Sequence, residues 1–406
     1  MGESHYFQRG FGLKGSIQGT LRSDYHSALV ERIREAGHSL VIDDLTIRLA
    51  REFGFCYGVD RAVEYAYETV VKFPDRRVFL TGEIIHNPHV NDRLRRMGIR
   101  FFPSDGSLPD DLSQQDVVIL PAFGVPAPVF DSLARTGSIL VDTTCGSVLN
   151  VWKNVEKYAQ SGFTSVIHGK FKHEETRATA SRALMYPGGR YLIVRDMDQA
   201  EMVCDYIARA APSPSDREAF MAIFQEACSP GFDPDRHLDR LGVANQTTML
   251  SSESLAIAER LREAMARRYG AEAARERFRS FDTICSATQD RQDAIGDLLR
   301  EGVDVLLIIG GYNSSNTNHL ATMGSLRVPT YHINAADCIR GAAAIRHKPA
   351  GGHDEEETAG WLPEGRVTVG VTAGASTPNV MIGEVVERVL ACRGLTLDAA
   401  RAGVLR

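Results

Sequence analysis

From about residue 77 onward, short apolar runs alternate with amphipathic stretches, and no other feature constrains the fold as much. The runs at 77–81, 117–121, 139–142, 164–167, 191–194, 303–309 and 367–371 predict strands. Helical periodicity predicts helices at 59–72, 91–97, 148–160, 253–269, 289–300 and 378–390. Short apolar strands alternating with helices of about 10–15 residues read as an α/β protein with parallel sheets.

Three stretches break this rhythm. Residues 1–50 form an N-terminal extension with one expected helix near 25–36. Residues 205–239 read as an insertion rich in Pro, Asp and Arg, helical in part. Residues 347–365 (HKPAGGHDEEETAGWLPEG) are polar and glycine-rich, the segment most expected to be disordered. A short echo links Asp142-Thr143-Thr144-Cys145, Asp282-Thr283-Ile284-Cys285 and Phe55-Cys56-Tyr57-Gly58, each leading into an expected helix. An internal repeat of this kind predicts several related α/β units rather than one long sheet.

The chain has 406 residues, 43% apolar and 24% charged, the mix of an ordinary globular protein. Its net charge of −6 argues against general binding to nucleic acid or acidic membrane, while leaving room for a local basic pocket. No window approaches the ~18 unbroken apolar residues of a membrane span. The N-terminus, MGESHYFQRGFGLKG, has no apolar core of a signal peptide. A cytoplasmic protein is the expectation.

Seven cysteines scattered over the chain are too dilute for a disulfide framework, and none forms a CxxC pair. A single cysteine is usually a buried, inert hydrophobe. Cys56, Cys145 and Cys285 differ from Cys204, Cys228, Cys338 and Cys392, because each sits just before an expected helix. Free N–H groups and the positive end of the dipole there favour the thiolate. Thiolates hold iron–sulfur clusters. Three such ligands on a four-iron cluster would leave one iron open, and open metal positions are the catalytic ones.

Polar loops follow several expected strands: His86-Asn87, His173-Glu174-Glu175, Gln246-Thr247-Thr248, Asn313-Ser314-Ser315-Asn316 and Ala373-Gly374-Ala375-Ser376. Ligands of open α/β sheets bind at the carboxyl ends of strands. Glycine there frees backbone N–H groups, and Ser, Thr, Asn and His add donors without bulk, as a phosphate or diphosphate requires. Any one of these loops alone could be an ordinary helix cap; several together point to a pocket. Neither GxGxxG, nor a Walker A loop, nor HExxH is present. The missing glycine fingerprint disfavours a nicotinamide oxidoreductase. An iron–sulfur sensor without catalysis and a zinc hydrolase using Cys and His remain as alternatives, and metal analysis separates the latter.

These stretches resemble the 4-hydroxy-3-methylbut-2-enyl diphosphate reductases, the family of the last enzyme of the non-mevalonate isoprenoid pathway. The matching segments are Gly54-Phe55-Cys56-Tyr57-Gly58-Val59, Glu83-Ile84-Ile85-His86-Asn87, Asp142–Cys145, His168-Gly169-Lys170 with His173–Thr176, Gln246-Thr247-Thr248, the run 282–293 (DTICSATQDRQD), Asn313–Asn316 and Thr372–Ser376. They fall in family order from about residue 52 to 390.

The resemblance implies three similar α/β units in a trefoil around a central [4Fe–4S] cluster. Their bounds would be residues 51–145, 146–284 with the insertion, and 285–406. It implies Cys56, Cys145 and Cys285 as cluster ligands and Glu175 in the proton relay. His86, His173, Thr247, Ser314, Ser315, Asn316 and Ser376 would hold the diphosphate or the hydroxyl of an allylic diphosphate. Ferredoxin or flavodoxin would be the electron donor. One departure stands out: Phe123, in Ala122-Phe123-Gly124, occupies the place where many bacterial members carry a diphosphate-binding histidine. That feature resembles the plant and cyanobacterial branch.

Overall fold

A computed structural model describes residues 5–396 apart from 104, 210 and 282. Asp282, first residue of the second Asp-Thr echo, lies outside the described residues, as do residues 1–4 of the extension and 397–406 of the expected third unit. The chain separates into two compact units, one holding residues 5–8 and 102–285, the other 9–101 and 286–396.

The second of these is built on a five-stranded sheet. Its strand order is Thr330–Ile333, Val305–Ile309, Val367–Ala373, Leu45–Leu49, Ser39–Ile42. All neighbours are parallel except the last pair. Val305–Ile309 is buried along its whole length, as expected for a parallel strand covered on both faces. The apolar sides of helices Ala28–Glu35, Ser286–Arg300, Ser315–Ser325 and Asn379–Cys392 supply the cover. Strands Val78–Leu80 and Arg100–Phe101 pair in parallel in the same unit.

The other unit carries a four-stranded parallel sheet in the order Phe278–Ser280, Leu241–Asn245, Thr164–His168, Arg190–Val194. It also holds three parallel strands, Tyr6–Phe7, Ile139–Asp142 and Val117–Leu120. Every predicted strand is present, most with ends moved by one or two residues. The α/β architecture with parallel sheets is therefore the observed one.

The extension is more than one helix. It holds helices Lys14–Tyr25 and Ala28–Glu35 and a hairpin whose strand Leu45–Leu49 pairs with Val367–Ala373. Ser27 caps the second helix by accepting from the Val30 N–H, which separates it from the first. The insertion contains helices Pro214–Phe224 and Pro234–His237. Phe220, Phe224 and Phe232 bury themselves in the core of that unit, so the segment adds core.

The expectation of disorder at 347–365 is overturned. Ala344–His347 pairs antiparallel with Glu356–Ala359. Trp361 follows at 1% exposure, its indole N–H donating to the Gly341 carbonyl at 2.8 Å. Average polarity hid this, because one buried tryptophan and a ladder of backbone bonds are enough to order a polar hairpin. Trp361→Ala should therefore cost about 3–5 kcal/mol in denaturant unfolding. A loss under about 1 kcal/mol would place the hairpin outside the cooperative core.

Candidate active site

The three singled-out cysteines lie where chain direction changes into a helix. Cys56 caps Tyr57–Lys72 and Cys145 caps Gly146–Gln160, both with extended backbone and no side-chain capping bond. Cys285 directly precedes Ser286–Arg300. None of the three is in a disulfide and all are partly exposed, whereas Cys204, Cys228 and Cys338 are buried. Burial pushes the Cys204 thiol up to about 12 and raises those of Cys228 and Cys392, which disfavours thiolate at these three positions.

Two of the three are brought together within one unit. Ser147, two residues after Cys145, points its hydroxyl at Cys285 Sγ at 3.6 Å. The Cys145 N–H donates to the Ala122 carbonyl at 2.8 Å, tying that cysteine to the Ala122-Phe123-Gly124 turn. The Phe123 ring stands edge-on to His173, with centroids 6.4 Å apart.

The same unit places Glu175 and Thr247 side by side. Glu175 is only 3% exposed, in the first turn of helix Glu174–Ala183. One carboxylate oxygen accepts from the Thr247 N–H at 2.6 Å and the other from the Thr247 hydroxyl at 3.0 Å. Thr247 comes from the loop after strand Leu241–Asn245. His173 caps the helix by accepting the Glu175 N–H on Nδ1 at 3.2 Å, which leaves the ring proton of the neutral form on Nε2. Neighbouring Glu174 is exposed. The residues between them are secured by Gln246, which accepts from Thr176 Oγ1 at 3.0 Å and the Lys170 N–H at 3.2 Å.

The other unit gathers Cys56, His86, Ser314, Ser315, Asn316 and Ser376. The Cys56 N–H donates to the Ala375 carbonyl at 3.2 Å, and the Ala375 N–H to Asn316 Oδ1 at 3.0 Å. The Ser376 hydroxyl reaches the His86 carbonyl at 3.3 Å, and Asn87 Nδ2 donates to the Ser376 carbonyl at 2.8 Å. His86 Nδ1 donates to Glu83 at 2.9 Å. Ser314 caps helix Ser315–Ser325, accepting from the Thr317 N–H at 3.3 Å. The Asn316 amide nitrogen is placed to meet a ligand: the residue is 2% exposed and Nδ2 has no partner among the described residues. Buried donors rarely stay unpaired without a reason. Gly374 is required here, because a Cβ would collide with the Thr317 hydroxyl.

The loop residues singled out in the sequence thus fall into two local groups. Sequence reasoning did not single out Ser147 or Arg291. Arg291 is buried and donates to the Gly54 carbonyl at 2.7 Å, bracing the turn before Cys56. Both lie within a few residues of a marked cysteine, which is the signal that could have flagged them.

Known proteins resemble this chain over nearly its whole length. It is 47% identical over 411 residues to the 4-hydroxy-3-methylbut-2-enyl diphosphate reductase of Gloeobacter violaceus, covering 100% of this chain and 96% of that one. The Thermosynechococcus vestitus protein of the same name is 47% identical, covering 96% of each. A solved structure of (E)-4-hydroxy-3-methyl-but-2-enyl diphosphate reductase, described as the terminal enzyme of the non-mevalonate pathway, superposes with a TM-score of 0.52 at 26% identity. It covers 86% of this chain and 100% of that one. The reductase structure from Plasmodium falciparum shares the fold with a TM-score of 0.62 at 21% identity, covering 86% of this chain and 88% of that one. A family model described as LytB protein matches residues 47–390, and with these relatives it establishes that the chain belongs to the LytB family, that of the 4-hydroxy-3-methylbut-2-enyl diphosphate reductases.

Proposed function

We propose that this chain carries out the reductive dehydroxylation of 4-hydroxy-3-methylbut-2-enyl diphosphate. Two electrons and two protons are consumed, the allylic C–O bond breaks, and isopentenyl or dimethylallyl diphosphate leaves with one water. The observation that carries the reading is the buried Glu175 carboxylate with both oxygens on Thr247, in a chain with the reductase relatives described above.

Hydroxide is a poor leaving group and needs a proton at its oxygen. Glu175 in its acid form can reverse the bond it now accepts from Thr247 Oγ1. A proton then passes from Glu175 to the Thr247 hydroxyl, and from that hydroxyl to the departing oxygen. The Thr247 N–H holds the carboxyl in place during the exchange. His173 fixes the helix turn that carries Glu175.

The donor set fits a [4Fe–4S] cluster: Cys56, Cys145 and Cys285 are three partly exposed thiols at helix starts, none in a disulfide, and they would be its ligands. When bound, such a cluster supplies electrons and a Lewis acid. Ser314, Ser315, Asn316, Ser376, His86 and His173 would bind the diphosphate by neutral donors and by the N-terminus of helix Ser315–Ser325. The diphosphate takes no part in bond breaking; it positions the other end of the substrate. Three α/β units spanning 51–145, 146–284 and 285–406 belong to the same reading, as do a cytoplasmic setting and ferredoxin or flavodoxin as electron donor. Among the described residues no helix is long and apolar enough to cross a membrane.

Anaerobic purification tests the reading directly. The expected protein is brown, holds roughly four irons per chain, and is reoxidised by the substrate after reduction. A colourless protein with one zinc would sink it. Asn316→Ala removes a donor to a charged oxygen, worth about 1.5–3 kcal/mol. Substrate affinity should fall roughly 10- to 150-fold with the cluster spectrum intact. Unchanged affinity would reduce this loop to a helix cap.

A further inference from the structure

The hairpin that the sequence left as a disordered loop is fastened to the back of the Gly310–Asn316 segment. Lys348, just after strand Ala344–His347, donates its backbone N–H to the His332 carbonyl at 2.9 Å. Its ammonium reaches the Tyr312 carbonyl at 3.3 Å. The same carbonyl accepts from Asn318 Nδ2 at 2.8 Å. The Tyr312 hydroxyl donates to Glu355, just before the second strand of the hairpin, at 2.7 Å. Glu355 in turn pairs with Arg346 at 3.5 Å.

A second attachment comes from the sheet. His332 is buried in strand Thr330–Ile333, and its Nε2–H donates to the Gly310 carbonyl at 3.0 Å. Its ring meets Tyr312 edge-on, with centroids 5.0 Å apart. Burial holds the His332 ring neutral, down to about 4, so this donor is constant over ordinary pH. Gly310 itself has no slack: a Cβ would lie 2.7 Å from the Thr377 hydroxyl and 2.8 Å from that of Thr317.

The segment leading to Ser314, Ser315 and Asn316 is therefore held at three points, the Gly310 carbonyl, the Tyr312 carbonyl and the Tyr312 hydroxyl. None of these atoms belongs to the proposed substrate-binding set. We propose that the 344–359 hairpin is a clamp on the diphosphate loop, with Lys348 and Tyr312 as positioning residues that set affinity for the diphosphate. The inference rests on the function proposed above. Contacts made before the substrate arrives spare it the entropy of ordering the loop. Losing them lowers the fraction of molecules with the loop in its binding conformation, and apparent affinity falls by that fraction.

The test compares holoenzyme variants Lys348→Met, Lys348→Arg, Tyr312→Phe and Thr358→Val. Thr358→Val is the control: it removes a 2.8 Å bond to His347 inside the hairpin without touching the loop. Substrate and inorganic pyrophosphate are the binding probes. Hydrogen exchange of amides 311–317 is read against that of the strand Val305–Ile309. Lys348→Met and Tyr312→Phe should weaken both probes roughly 3- to 30-fold. They should speed exchange in 311–317 alone and leave turnover at saturating substrate within about twofold. Lys348→Arg keeps a donor and should bind within a few-fold of the parent. Unchanged affinity in Lys348→Met and Tyr312→Phe overturns the clamp, and so does an equal loss in Thr358→Val, which would make it a general effect of hairpin folding. If the parent protein itself binds neither probe, the functional reading fails; if it binds both and the variants do not differ, only the clamp fails.

Discussion

Glu175→Gln is expected to assemble the cluster, bind substrate, and react about 10²–10⁴ times more slowly, the usual contribution of a general acid. Glutamine keeps the size of the side chain. Its amide oxygen can still accept from the Thr247 N–H, which now lies 2.6 Å from the carboxylate. What it cannot do is release a proton to the Thr247 hydroxyl at neutral pH. Glu174 is the internal control: it is adjacent but exposed, so Glu174→Gln should stay within a few-fold of the parent. Single-turnover oxidation of pre-reduced protein on mixing with substrate is the appropriate measurement, because it bypasses the electron donor. A parental rate in Glu175→Gln, or a slower rate in Glu174→Gln, would remove Glu175 from the role of acid. A Thr247→Val variant extends the test. It keeps the backbone N–H on Glu175 and deletes the hydroxyl, so a similar loss would place both groups on one proton route.

Loss of the cluster itself is the second large effect. Cys56→Ser, Cys145→Ser and Cys285→Ser should each bleach the protein or strip its iron, since a neutral hydroxyl would replace a proposed thiolate ligand. Cys392→Ser should keep full iron content. Cys392 is also partly exposed and in no disulfide, but it ends helix Asn379–Cys392 instead of starting one. The contrast therefore isolates position from exposure. Iron content and the visible spectrum of anaerobically purified variants give the answer. Full iron in Cys145→Ser would end the assignment of that ligand. Air should act in the same direction on the parent protein, because in the proposed centre an iron lacking a fourth thiolate would be open to oxidants. A preparation unchanged after a day in air would count against an open position.

The sequence by itself determined the class of fold and marked candidate positions for chemistry. Continuous apolar runs such as Val305–Ile309 have one good burial solution, a parallel strand covered on both faces. Helix starts were less readable: the expected helices at 91–97 and 289–300 begin at Pro88 and Ser286, and helix Ser315–Ser325 was not among those expected. Ser314 and Asn87 cap the helices that follow them. Cys56 and Cys145 stand in the same capping position, and their place just before an expected helix set them apart from the other cysteines in the sequence.

Partnership was not readable, because it depends on contacts between residues far apart in the chain. Only the tertiary structure brought Thr247 onto Glu175, Ser147 onto Cys285, and Ser376 onto the His86 carbonyl. Strand order decides which loops become neighbours, and no local pattern encodes it. The same holds for order in the 344–359 hairpin. Its polar composition argued for disorder, yet its ladder, the buried Trp361 and the Tyr312–Glu355 bond hold it in place. Average polarity does not register backbone pairing, a single buried tryptophan or a few long-range contacts, and those are what order this hairpin.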